Sequence, residues 1–252
     1  MGIIIFQYLM KTLTIIPSRL SATRLPGKPL LKINDISIIS HVFKRAEEAN
    51  IGDVVVAAED QEIVEDVVNN GGRAILTGKN HKTGTDRIYE ALNKLGVKDV
   101  DLIMNLQGDE PAINVNDIVN LNKKMISNQS QIGTLAAKMN DLKDLENENI
   151  VKVITKENLN KDEFSRAKDF SRRSTEVENI YHHIGIYCYS TETLKKFVEL
   201  NQSKNEIEKR LEQLRALDNN IEINVALASS STIGVDTKED YLALKKIMEY
   251  KD

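Results

Sequence analysis

An α/β fold, with a mostly parallel central sheet flanked by helices, is what this sequence predicts, on three observations. Apolar runs of four to six residues alternate with segments whose apolar positions recur three and four residues apart. No period of about 20 to 50 residues repeats, which argues against a solenoid or propeller. No Pro/Gly/Ser-rich linker interrupts the 252 residues, so one domain spanning 1–252 is expected, with 41% apolar residues to fill its core.

The first strand is read at 13–16, followed by strands at 54–58, 74–76 and 102–106. Helices at 38–49, 62–69 and 85–95 separate them, each with its apolar residues on one face. This half looks like a nucleotide-binding layer. The second half is less regular, with a helix at 116–127 and strands at 133–137 and 151–155. The polar stretch 158–179 reads as a loop or flap. A strand at 183–190, helices at 191–200 and 206–217, a strand at 223–227 and a last helix from Thr237 complete the chain. In the helix at 206–217, Ile207, Leu211, Leu214 and Leu217 are expected to share the apolar face, with Glu212 and Gln213 at its edge. Residues of about 130–220 are expected to form a substrate-binding and dimerising lobe.

Composition narrows the function. Against 38 acidic residues stand 34 basic ones, a net charge of -4, so the broad positive field of a nucleic-acid binder is missing. A single cysteine, Cys188, offers neither an internal disulfide nor a zinc cluster, and a reducing cytoplasm fits best. The apolar run 3–6 has no basic flank and no cleavage site, so secretion and membrane insertion are not expected. Residues of about 1–10 read as a leader outside the fold, with Met10 an alternative start.

In open α/β sheets ligands bind beyond the carboxyl ends of strands, which directs attention to the segments after Ile16, Ala58 and Leu106. The first of these, PSRLSATRLPGKPL at 17–30, places Arg19, Arg24 and Lys28 on one loop with small residues between them. Three cations there suit a nucleoside triphosphate carrying about four negative charges. The third, NLQGDEP at 105–111, supplies the Gln107 amide for a base or sugar edge. It also carries Asp109 and Glu110, hard carboxylate oxygens of the kind magnesium requires. Asp236, in STIGVDT, is a second carboxylate between an apolar run and a helix, where N-capping by Asp236 or Thr237 is the competing role. TGTDR at 83–87 opens a helix, so Thr83, Gly84 and Thr85 either present N–H groups to a phosphate or base, or simply cap. Arg172 or Arg173, in FSRRS, offers a guanidinium for a carboxylate, or is simply solvated. His182 and His183 alternate across a strand, so only one of them faces a cleft. No Ser-His-Asp triad, G-x-S-x-G elbow or H-E-x-x-H helix supports a hydrolase.

Taken in order, PSRLSATRLPGKPL, TGTDR, NLQGDEP, FSRRS, HHIGIYCY, LEQLRAL and GVDT resemble the 3-deoxy-manno-octulosonate cytidylyltransferase family over about residues 12–248. The resemblance implies a nucleotide-diphospho-sugar transferase (glycosyltransferase-A-like) fold and a cytoplasmic homodimer. It implies CTP and Kdo as substrates, Mg2+ as cofactor, and CMP-Kdo and pyrophosphate as products for lipopolysaccharide assembly. Carried over by position, Arg19 and Lys28 hold the triphosphate, Gln107 with Thr83, Gly84 and Thr85 contacts cytidine, and Asp109 and Asp236 bind Mg2+. Arg172, His183, Glu212 and Gln213 bind the sugar acid, and Lys28, Arg19, Asp109 and Asp236 carry the chemistry. After Arg172 the chain departs from the family's small residue and Ile-Pro pair, reading Arg173-Ser174-Thr175. Another acidic sugar, such as 8-amino-Kdo, and a non-catalytic sugar-nucleotide binder are the alternatives.

Overall fold

The computed structural model describes residues 10–21, 24–139, 141–161, 163–231 and 234–249. Apart from Met10, which packs against the core, the expected leader lies outside them, as does Thr23 of the first loop. Strand β1 (Thr12–Ser18) is almost wholly buried and lies between β4 (Gly52–Ala58) and β6 (Leu102–Asn105), parallel to both. Beyond β4 runs β5 (Ala74–Leu76), also parallel. Helices α1 (Ile38–Glu48), α2 (Gln61–Asn69) and α3 (Gly84–Leu95) connect these strands as the apolar spacing predicts. A small hairpin of β2 (Lys32–Ile33) and β3 (Ile36–Ser37) precedes α1. Its strands are too short to show alternation, and Asn34 and Asp35 take the positive φ values of its turn.

After α4 (Val115–Asn128) the sheet changes character. Strand β10 (Ile180–Ser190) runs antiparallel to both β6 and β7 (Ile132–Lys138). Beyond β7 come β11 (Ile223–Leu227), parallel to it, then β9 (Ser165–Ser171) and β8 (Lys152–Thr155), both in antiparallel pairings. Because β8 also pairs with β10, these five strands close on themselves. The α/β class is as expected, while parallel pairing is confined to β5-β4-β1-β6 and to β7-β11.

Two expectations need correction. The stretch 158–179 is not a continuous loop, because it contains β9, whose Ser165, Ala167 and Phe170 are buried. Polar residues between them mask the alternation, and a register shift opposite Ile154 and Thr155 breaks its period. Nor is 206–217 one helix. After α5 (Thr191–Glu199) come α6 (Lys204–Lys209) and α7 (Leu214–Asp218), separated by a turn in which Arg210 adopts φ 54°. Ile207 is consequently 59% exposed rather than on a core-facing stripe, whereas Leu211 and Leu214 are buried. The last helix, α8 (Lys238–Glu249), packs Leu244 against Ile33, Ile38 and Val235.

Apolar side chains fill both faces of the sheet. One face packs under α1, α2 and α4, and the other under α3, α5 and α7. The carboxyl ends of β1, β4 and β6 emerge between these layers, where polar residues are free to gather.

Candidate active site

The loop after β1 is held by its backbone. Asp60, at the end of β4, accepts the Leu20 N–H at 2.8 Å. Gly27, at φ 69°, turns the chain into a short 3-10 helix that starts at Lys28. From there the Lys28 ammonium reaches Asp109 at 2.6 Å and Asp236 at 3.4 Å. Asp109 follows β6 through Gly108, where a Cβ would stand 3.0 Å from the Pro17 carbonyl oxygen. A side chain there would crowd the two strand ends, and glycine leaves them this close without a shift. The Val235 N–H donates to the Asp109 carbonyl at 2.9 Å, which brings Asp236 alongside. The capping role open to this segment falls to Thr237: its hydroxyl accepts the Asp240 N–H at 3.2 Å, and Asp240 accepts the Thr237 N–H at 2.8 Å. The Asp236 carboxylate is thereby left to Lys28 and to Arg24, 2.9 Å away.

Beside this cluster lies a cleft of about 280 Å3 lined by Arg19, Lys28, Thr83, Gly84, Gln107 and Asp109. Of the two roles open to TGTDR, the structure shows capping, and Thr83 and Gly84 also line the cleft. Thr83 caps α3 in a reciprocal pair with Asp86, while Gly84 brings the start of the helix, its positive dipole end, to the cleft wall. Arg87 also lines the cleft, 3% exposed, and sequence reasoning gave it no role. Its guanidinium donates to the Thr77 hydroxyl at 2.7 Å, the Gly78 carbonyl at 3.0 Å and the Glu59 carboxylate. It thus ties the ends of β4 and β5 to α3. Its place one turn after the Thr83 cap was the available signal.

A second cleft, of about 240 Å3, shares Gln107 with the first and is lined by Thr85, Asn105, His183, Glu212 and Gln213. Thr85 therefore belongs to this cleft, one residue beyond the first cleft's wall. Gln107 is fixed by donating from Nε2 to the Gly185 carbonyl at 3.0 Å, at the irregularity in β10. Glu212 accepts the Thr85 hydroxyl at 3.0 Å, and burial raises its pKa despite the hydroxyls and the nearby Arg215. His183 is enclosed by Phe170 and Tyr187. Burial pulls its pKa down to about 3, so the ring is neutral, 3.0 Å from the Thr134 hydroxyl.

Arg172 lines neither cleft. Its guanidinium donates to the carbonyls of Glu148 at 3.0 Å and Arg210 at 3.4 Å. Beneath it, the fully buried Lys152 donates to three carbonyls, those of Asn147 (2.7 Å), Ile150 (2.9 Å) and Arg172 itself (2.6 Å).

Two carboxylates that share one ammonium are a donor set suited to a single hard cation. No group of three or more His, Cys, Asp or Glu residues with metal-binding geometry occurs among the described residues. A magnesium ion held by Asp109 and Asp236 would complete its shell from phosphate and water, which is its usual habit, so the residues fit.

Cations and paired carboxylates at the strand ends, a helix N-terminus facing the same cleft, and an adjoining polar cleft define a nucleotidyltransferase. Comparison with known proteins agrees. Residues 13–223 match the model of the family described as Cytidylyltransferase. The chain is 39% identical over 243 residues to the 3-deoxy-manno-octulosonate cytidylyltransferase of Nitrobacter winogradskyi, covering 94% of each. It is 40% identical over 251 residues to that of Thermodesulfovibrio yellowstonii, covering 95% of this chain and 98% of the relative. A solved structure of CMP:2-keto-3-deoxy-manno-octonic acid synthetase complexed with CTP superposes with TM-score 0.87 at 31% identity. It covers 96% of this chain and 100% of the other. UDP-glucose pyrophosphorylase complexed with UDP-glucose, 15% identical with TM-score 0.71 over 97% of this chain and 100% of that one, shares the fold. The chain belongs to the cytidylyltransferase family, among the 3-deoxy-manno-octulosonate cytidylyltransferases.

Proposed function

We propose that the protein transfers the cytidylyl group of CTP to 3-deoxy-manno-octulosonate (Kdo), giving CMP-Kdo for lipopolysaccharide synthesis and releasing pyrophosphate. The observation that carries this reading is the Lys28–Asp109–Asp236 cluster, set beside one cleft that adjoins another through Gln107. The names of the relatives and the CTP bound in the solved neighbour support both substrates.

In this reaction the anomeric hydroxyl of the sugar attacks the α-phosphorus, the bond to the bridging oxygen breaks, and pyrophosphate leaves. Such chemistry needs alignment and charge neutralisation more than a covalent nucleophile. Arg19 and Lys28 neutralise the triphosphate, and the first turn of α3, with Thr83 and Gly84, receives the nucleotide. Gln107 stands at the junction of the two substrates. Asp109 and Asp236 would hold Mg2+, which when bound neutralises phosphate charge and lowers the pKa of a coordinated hydroxyl. Thr85, His183, Glu212 and Gln213 present hydrogen-bonding groups to the sugar acid, with neutral His183 adding no charge. Arg172 supplies a cation for its carboxylate once it turns from the backbone carbonyls it now contacts. The altered FSRRS sequence keeps 8-amino-Kdo as the second reading.

A cytoplasmic homodimer is part of the same proposal, supported by the family relationship. No helix among the described residues is long and apolar enough to cross a membrane. Pyrophosphate release by the purified protein with CTP and Mg2+ tests the whole reading, with Kdo, 8-amino-Kdo and N-acetylneuraminate compared in parallel. Release with Kdo is expected. Release with another sugar alone reassigns the second cleft, and CTP binding without release with any of them leaves a silent binder.

A further inference from the structure

Asn105 ends β6, in register with Ile15 of β1 and Tyr187 of β10. Alternation along the strand puts it on the same face as Ile103, whose side chain lies in the core beneath α3 and α5. An apolar residue is the ordinary choice there, since an amide loses water on burial and needs a partner in return. Asn105 is 3% exposed, yet its Oδ1 meets no hydrogen-bond donor among the described residues. Glu212 Oε1, in the same cleft, is also without a hydrogen bond. Arg215 is 3.8 Å away, and the Thr85 hydroxyl goes to the other carboxylate oxygen.

Buried polar atoms without partners are rare in native proteins, and each calls for an explanation. Two acceptors left open in one cleft of about 240 Å3 describe a surface complementary to hydrogen-bond donors. They repel a carboxylate and welcome hydroxyl groups. We propose that Asn105 is a specificity-determining residue, whose Oδ1 accepts a hydrogen bond from a hydroxyl of the sugar acid beside Glu212. The inference rests on the functional reading above and adds an orientation to it: the hydroxyl-bearing edge of the acceptor faces Asn105 and Glu212, and its carboxylate faces away from them.

The test compares the full-length wild type with Asn105→Leu and Asn105→Ala, which remove the acceptor with and without added apolar bulk. Pyrophosphate release is measured with CTP, Mg2+, Kdo and a series of Kdo analogues each lacking one hydroxyl. In the wild type one analogue is expected to lose about tenfold or more in kcat/KM, the worth of one well-placed hydrogen bond. The variants lose a similar factor with Kdo but treat that analogue and Kdo alike, and their KM for CTP stays within about twofold. Asn105→Ala keeps the test open should Asn105→Leu not fold. Variants that discriminate among the analogues as the wild type does overturn the role of Asn105 while leaving the proposed function intact, as expected if water alone serves Oδ1. A folded wild type that releases no pyrophosphate with Kdo overturns the functional reading and the inference together.

Discussion

The Lys28 ammonium lies 2.6 Å from the Asp109 carboxylate, joining the end of the loop after β1 to the segment after β6. With its side chain only 12% exposed, Lys28 is an inner wall of the nucleotide cleft rather than a solvated surface charge. Lys28→Met is expected to lower kcat about 10^2- to 10^3-fold, the scale on which removal of one preorganised charge is felt. Steady-state pyrophosphate release checks this, with thermal unfolding as the control for folding. Full activity in the variant would remove Lys28 from the mechanism.

Asp109→Asn and Asp236→Asn each keep side-chain shape while removing one anionic ligand. Each is expected to raise the Mg2+ concentration for half-maximal activity about tenfold or more, since hard-cation affinity follows ligand charge. A titration of activity against Mg2+ at saturating CTP reads this directly. A midpoint unchanged in both variants would place the metal elsewhere.

His183 links stability to pH. Its folded-state pKa, pulled down to about 3 by burial, lies below the 6.5 of an unperturbed ring, so the unfolded chain takes up the proton first. Its contribution is fully present above pH 6.5 and falls as pH drops from there towards 3, with a slope approaching about 1.4 kcal/mol per pH unit. Urea unfolding at pH 7.5, 5.5 and 4.5 should show a smaller acid loss in His183→Gln than in the wild type. Equal losses would refute the linkage.

Lys152→Met removes three hydrogen bonds from a buried lysine to backbone carbonyls while retaining most of the side chain's volume. A loss of about 3 kcal/mol is expected, seen as a fall of roughly 6–12 °C in the melting temperature. Because the Arg172 carbonyl is one of the three, KM for the sugar acid should rise more than KM for CTP. A variant as stable as the wild type would show that water replaces the ammonium without cost.

Residue type and position at a strand end singled out Lys28, Asp109 and Asp236, and the structure brings the three together at one ammonium. Arg87 and Asn105 were missed although each carried a signal, one turn after the Thr83 cap and inside the apolar run 102–106, because the partners that bury or orphan a polar group lie elsewhere in the chain. Strand β9 was hidden by charged residues at its outward positions and by its register shift. The break between α6 and α7 was hidden because Arg210, not glycine, takes the left-handed turn. Asp236 shows the opposite case, in which the neighbouring Thr237 takes up the capping role and leaves the carboxylate to Lys28 and Arg24.

Lys28 and Asp236 are 208 positions apart in the chain and meet at one ammonium. The cluster therefore exists only while two distant stretches of the chain are folded against each other, and any local opening of the segment before α8 takes one of the two carboxylates away from the ammonium.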